Sequence, residues 1–351
     1  MLLEGIFPAI TTPFYPDGRL YLKKLEHNVQ RYSQTLVAGI VVLGSTGEAV
    51  MLSDDESRQL LRTAREAAAP EKVLLAGVAR ESVAGTLRLA EFAAEQQYDA
   101  VLARTPGYYA PQTGKLEMLT YYRALADRSP LPVVIYSIPK YTHYEMPVEV
   151  VAELAQHPNI IGIKDSSGSV ERIAALVTAT RSAPRREVAV TPTFVAFTGR
   201  MMASQSMLQS NFLAAESIAG PIAVTAPPQV QVKATRKKEV GFQVLTGAAN
   251  QLIDSLNAGA SGGILAVAAF APQGCQEIYI AWKDNDAALM IEKQRRVVEP
   301  SKVVLAKYGI SGVKYACDLN GYYGGRPRLP LLALNNEQQA EVGRAIAELR
   351  N

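Results

Sequence analysis

Histidine and cysteine are scarce, with three of one and two of the other in 351 residues. His27, His143 and His157 share no HxH or HExxH spacing, and Cys275 and Cys317 form no CxxC pair, so no protein-ligated transition metal is expected. Aromatic residues amount to 7%, with a single tryptophan, Trp282. Charge of one sign is also lacking: 36 Lys and Arg against 33 Asp and Glu leave a formal net charge of +3, with no like-charged block to attract a polyanion. A nucleic-acid partner is therefore not expected. No uninterrupted apolar run reaches the roughly 20 residues of a membrane span. The first residues, Met1-Leu-Leu-Glu-Gly-Ile-Phe-Pro8, offer neither a basic n-region nor an apolar h-region, so the expected location is cytoplasmic.

What is present is apolar mass. At 48% hydrophobic and 20% charged, the chain has material for a sizeable core and too little charge density for disorder. Short β-branched runs alternate with longer amphipathic stretches. The runs are Gly5 to Ala9, Gly39 to Leu43, Val73 to Gly77, Asp99 to Ala103, Pro132 to Tyr136, Ile160 to Lys164, Phe242 to Thr246 and Gly262 to Val267. The first six begin about 26 to 34 residues apart, each close to one βα unit, and several are continuous apolar strings of the kind parallel strands need when buried on both faces. Eight such units predict a (β/α)₈ TIM barrel. A doubly wound open sheet uses the same ingredients, but no GxGxxG turn follows the first strand.

Between the sixth and seventh strands the rhythm breaks. From Val188 to Val232 the only charged residues are Arg200 and Glu216, while the edges are basic, Arg185-Arg186 and Arg236-Lys237-Lys238. This apolar insertion, 183–240, is expected to pack as extra helix on the barrel wall or to form an oligomer contact. The chain thus divides into a catalytic barrel, 1–270, and a C-terminal helical extension, 271–351.

In such barrels the chemistry sits where strands end. The second strand ends in Gly44-Ser-Thr-Gly-Glu48, the fourth in Thr105-Pro-Gly-Tyr-Tyr109, the fifth in Tyr136-Ser-Ile-Pro139 and the sixth in Lys164-Asp-Ser-Ser-Gly168. Lys164 projects from a buried strand, and Gly162 on the same face leaves room for its stem. Such a lysine is either a desolvated amine able to attack a carbonyl or one half of an ion pair with Asp165 or Glu48. The Gly-Ser-Thr-Gly turn offers two hydroxyls and backbone N–H groups, suited to a small carboxylate or simply to capping a helix. Tyr136 is either a proton shuttle at the mouth or a core residue with a satisfied hydroxyl.

Taken together, these four ordered motifs resemble the pyruvate-dependent class I aldolases related to dihydrodipicolinate synthase and N-acetylneuraminate lyase. The resemblance covers about Leu3 to Ser182 and Phe242 to the C-terminus. It implies that Lys164 forms a Schiff base with a 2-keto acid, that Ser45 and Thr46 hold the acid's carboxylate, and that Tyr136 moves protons. It further implies that Tyr108 reaches the neighbouring subunit's site in a homodimer or homotetramer and completes a catalytic Tyr–Thr–Tyr relay with Thr46 and Tyr136, and that Ser166 and Gly247 line the pocket. A lysine imine is its own electron sink, so no separate cofactor is implied.

One position departs from the synthases. They carry an arginine two residues past the proline of Tyr-x-x-Pro, and here that place is Tyr141. That departure speaks against lysine synthesis, while the Tyr136-Ser-Ile-Pro139 form and the late Gly321-Tyr-Tyr-Gly-Gly325 segment resemble the 4-hydroxy-2-oxoglutarate aldolase branch, which yields pyruvate and glyoxylate. Pyruvate plus aspartate semialdehyde, or another keto-acid sugar, is the alternative substrate pair. Two competing functions are a barrel glycosidase using Glu48 and Asp165, and a non-catalytic homologue using the insertion as a partner surface.

Overall fold

The computed structural model describes residues 1–191, 195–203 and 236–350. Eight parallel strands form one sheet: β1 (Gly5–Pro8), β2 (Gly39–Val42), β3 (Val73–Gly77), β4 (Ala100–Arg104), β5 (Val133–Ser137), β6 (Ile160–Asp165), β9 (Gln243–Thr246) and β10 (Gly262–Leu265). Each lies within two residues of the run that marked it. β1 pairs with β10, and the other edge strand, β2, closes back on it through a parallel bridge from Ala9 to Val41 and the hydrogen bond from Ala38 N–H to Ile6 O. The sheet is therefore a barrel, as expected. All of β2, β3, β5 and β6 are buried along their full length, which explains their uninterrupted apolar sequences.

Helices wrap the outside. The Ser53 capping box forms, with Ser53 Oγ accepting from Glu56 N–H and Glu56 Oε2 accepting from Ser53 N–H, and it starts α2 (Asp54–Ala67) at the expected place. Ser169 likewise caps α7 (Val170–Ala179). Past β10, helices at Pro272–Lys283, Ala287–Pro300, Gly309–Leu319 and Asn336–Ala345 complete the chain, with a π-helical stretch at Ser301–Lys307.

The edges of the insertion were expected to hold helix against the barrel wall. Instead they pair as an antiparallel hairpin, β7 (Arg186–Val190) with β8 (Arg236–Val240), and a helical turn at 199–203 lies between the two strands in the sequence. Val188, Val190, Ala196 and Val240 pack in the same cluster as the barrel-interior residues Phe7, Val41, Leu75 and Val134. Docking is to residues that precede strands: Thr198 Oγ1 donates to Pro70 O at 2.5 Å, Gly199 N–H to Asp99 Oδ1 at 3.3 Å, and Arg200 to the carbonyls of Ala68 and Lys72. The described part of the insertion thus plugs the N-terminal end of the barrel, opposite the strand ends. Residues 192–194 and 204–235, the rest of the predicted apolar segment, lie outside the described residues. Among the described residues no helix is long and apolar enough to cross a membrane.

Candidate active site

Register decides which side chains face the mouth. Residues paired across adjacent parallel strands share a face, so Arg104, Tyr136 and Lys164, paired in series across β4, β5 and β6, form one inward rung. That alignment depends on an irregularity. Val133 pairs with Ile160 but Val134 pairs with Gly162, so Ile161 is an extra residue in β6. Without it, Tyr136 would oppose Ile163 and Lys164 would turn to the other face. Gly162 does lie on the lysine's face, but its value is different from the one expected. A Cβ there would stand 2.4 Å from Gln243 O, so the glycine lets β9 approach β6.

Lys164 is 5% exposed, and its Nζ lies 4.1 Å from the centroid of the Tyr136 ring. The Tyr136 hydroxyl lies 3.3 Å from Ser45 Oγ. Both carboxylates that were candidates to pair with Lys164 are engaged elsewhere. Asp165 accepts from Arg172 Nε at 2.8 Å and from Ser167 N–H at 3.0 Å. Glu48 Oε1 accepts from Lys314 Nζ at 2.6 Å, and its Oε2 from Arg328 N–H at 2.8 Å. The ion-pair reading of Lys164 is thereby answered, and so is the glycosidase reading, which needs two free carboxyl groups.

Ser45 and Thr46 sit on a 3₁₀ turn, Ser45–Gly47, that ends at Glu48 in the left-handed region with φ 56°. Thr46 is buried, and Thr12 Oγ1 ties the turn down by donating to Gly47 O at 2.6 Å. Ser166 and Gly247 meet at the ends of β6 and β9. A Cβ on Gly247 would fall 2.0 Å from Ser166 Oγ, so only glycine leaves that hydroxyl its place.

Two spaces open at this end. A small one of about 30 Å³ is bordered by Gly44, Ser45, Gly77, Arg104 and Tyr136. A groove of about 640 Å³ shares Ser45 and Arg104 with it and runs out past Tyr108, Lys140 and Tyr141 to Tyr308 and Leu331. Tyr108 and Tyr141 are thus rim residues, 79% and 53% exposed. The Tyr108 ring stands edge-on to Tyr109, their centroids 5.0 Å apart.

Sequence reasoning missed three residues here. Arg104 was left off the fourth strand, which was read as ending at Ala103. Lys314, fully buried, lies on an apolar helix face between Val313 and Ala316, and a lysine in that pattern was the available signal. Arg328 clamps Glu56 through both carboxylate oxygens, at 2.6 and 2.8 Å, while its other hydrogen bonds reach Met51 O and Gly18 O.

The family model described as the dihydrodipicolinate synthetase family matches residues 2–186 and 216–349, and the gap between the two segments falls in the insertion. A 4-hydroxy-tetrahydrodipicolinate synthase from Xanthomonas axonopodis pv. citri is 42% identical over 177 residues, which are 50% of this chain and 58% of that relative. The aligned part of the chain therefore spans less than two thirds of that protein. An L-threo-3-deoxy-hexylosonate aldolase from Hypocrea jecorina is 27% identical over 352 aligned residues, 98% of this chain and 95% of the relative. A solved dihydrodipicolinate synthase from Thermotoga maritima shares the fold, with a TM-score of 0.77 over 99% of each chain at 22% identity.

Proposed function

The chain belongs to the dihydrodipicolinate synthetase family, and on that premise we propose that it is a pyruvate-dependent class I aldolase whose Schiff-base residue is Lys164. One observation carries the reading: a buried lysine with no carboxylate partner among the described residues stands against a tyrosine ring at the strand ends, and that tyrosine's hydroxyl lies within reach of the Ser45 turn.

The Lys164 amine adds to the keto carbon of pyruvate, and the keto oxygen, taking one proton from the nitrogen and one from solvent, leaves as water to give a protonated imine. Transfer of a methyl proton to solvent water passes the C–H electron pair into the imine and yields a neutral enamine. The enamine carbon attacks the aldehyde carbon, and the aldehyde oxygen takes a proton from the Tyr136 hydroxyl. Water then hydrolyses the imine and releases the product acid. Cleavage is the same sequence reversed. Ser45 and Thr46 hold the pyruvate carboxylate, and Ser45, hydrogen-bonded to Tyr136, connects the proton donor to the rest of the turn. Ser166 and Gly247, which meet at the ends of β6 and β9 beside Lys164, would border the bound acid on that side. No cofactor beyond the covalent imine enters this scheme.

The substrate supported best is 4-hydroxy-2-oxoglutarate, cleaved to pyruvate and glyoxylate. Tyr141 stands on the groove where the synthases place an arginine, and a phenol offers one neutral donor where a guanidinium offers a charged fork. This disfavours aspartate semialdehyde. The exposed Tyr108 ring fits a homodimer or homotetramer in which a second copy covers it. Trapping with pyruvate and borohydride in the parent and in Lys164→Arg tests the assignment; equal trapping in both would refute it.

A further inference from the structure

The rung that holds Tyr136 and Lys164 begins with a third functional group. Arg104 pairs with Tyr136 one strand over, as Tyr136 pairs with Lys164, so the tyrosine stands between two basic side chains. Adjacent strands are about 4.8 Å apart, which makes the three side chains a row. We propose that Arg104 is the receptor for the second carboxylate of a dicarboxylic 2-keto acid, and so the residue that selects acidic over neutral aldehydes. This deepens the aldolase reading and rests on it.

The guanidinium is held in place before any ligand arrives. Its NH2 donates to Glu81 Oε1 at 2.8 Å and its NH1 to Thr105 O at 2.9 Å. Glu81 is itself fixed, since Oε2 accepts the N–H groups of Gly107 at 2.9 Å and Tyr108 at 3.0 Å. Although burial works to raise it, the Glu81 carboxyl is held below its ordinary value by these N–H groups and by Arg104, so it stays a charged anchor. Two of the five guanidinium N–H donors are used in these bonds, and the side chain borders both the small inner space and the outer groove. A fixed fork with donors to spare suits a carboxylate.

Two other charges on the groove are engaged by partners of opposite sign. Glu48 is neutralised by buried Lys314, and Lys307 is held by both oxygens of Glu341, at 2.6 and 2.8 Å. Lys140 on the rim adds a second positive group without a carboxylate partner among the described residues.

The order of groups along the row matches the order of groups along one substrate class. A ligand tethered as an imine to Lys164 must pass over Tyr136 to reach Arg104. In a 4-hydroxy-2-oxo dicarboxylic acid the keto carbon, the hydroxyl that gains or loses a proton, and the distal carboxylate follow one another in that sequence. A carboxylate one carbon from the reacting aldehyde lies beside Arg104 when its carbonyl oxygen is at Tyr136.

Borohydride trapping of keto acids measures this without requiring carbon–carbon bond chemistry. In the parent, 2-oxoglutarate should half-saturate trapping at a lower concentration than its uncharged-tail counterpart 2-oxopentanoate. In Arg104→Met the half-saturating concentration for 2-oxoglutarate should rise roughly 10- to 100-fold, with pyruvate and 2-oxopentanoate within a few-fold of the parent. Arg104→Lys should recover part of the loss. A uniform loss for all three acids would assign Arg104 a structural or pyruvate-binding role and overturn the proposal, as would no change, or a parent indifferent to the distal carboxylate. A parent that traps no pyruvate would instead overturn the imine reading.

Discussion

Lys314 Nζ donates to Glu48 Oε1 at 2.6 Å, with the two side chains 0% and 1% exposed. This pair joins a helix of the C-terminal extension to the turn that presents Ser45 and Thr46. Lys314 also donates to Thr12 O at 2.8 Å, so three separated parts of the chain converge on one ammonium. Burial pushes the Lys314 ammonium below its ordinary value while Glu48 works in the opposite direction. Removing one partner strands a buried charge. Lys314→Met should cost about 3–5 kcal/mol of stability, and adding Glu48→Gln should return part of it; urea unfolding of the four proteins of the double-mutant cycle measures both.

A second clamp lies close by and responds to acid. The Glu56 carboxyl is held below its ordinary value of 4.5 chiefly by its hydrogen bonds from Arg328. A depressed folded pKa means that the stabilisation is fully present above 4.5 and is lost as pH falls through the lowered value. Arg328→Met should therefore be less stable than the parent at neutral pH by about 1–2 kcal/mol, with the gap closing in acid. Unfolding curves from neutral to acid pH read the gap, and a pH-independent difference would assign Arg328 another role.

Tyr136→Phe keeps the ring against Lys164 and removes the hydroxyl. Turnover should fall about 10²- to 10⁴-fold while pyruvate can still be trapped on the lysine. Steady-state kinetics alongside trapping separates the two steps, and undiminished turnover would remove Tyr136 from proton transfer.

Tyr141→Arg restores the guanidinium that the synthases carry. The kcat/KM for aspartate semialdehyde should rise roughly 10- to 100-fold relative to that for glyoxylate. A parent that already favours aspartate semialdehyde, or a variant without gain, would contradict the substrate assignment.

The eight strands were legible because parallel strands buried on both faces are written as continuous β-branched runs, and Val133-Val-Ile-Tyr136 and Ile160-Ile-Gly-Ile163 follow that rule. Lys164, Tyr136 and the Ser45 turn stood out because polar residues end those runs. The extra residue Ile161 was hidden, since an isoleucine in a bulge looks like any other strand isoleucine and only pairing reveals it. Arg104 was missed for a related reason: one charge after an apolar run reads as the start of a loop. The hairpin of β7 and β8 joins residues about 46 to 54 positions apart, and Lys238 and Arg236, paired with Val188 and Val190 on the same face, disguise the alternation that buries the valines. Lys314 meets Glu48 across 266 residues, a contact that local patterning cannot show.

The central claim is that Lys164 attacks a keto acid. Incubating the protein with pyruvate and borohydride, then measuring intact mass and mapping the modified peptide, tests it most directly. The account predicts one addition per chain, equal to pyruvic acid less one oxygen atom, located on Lys164 and absent from Lys164→Arg. An unmodified parent, or an adduct on another lysine that persists in Lys164→Arg, would contradict it.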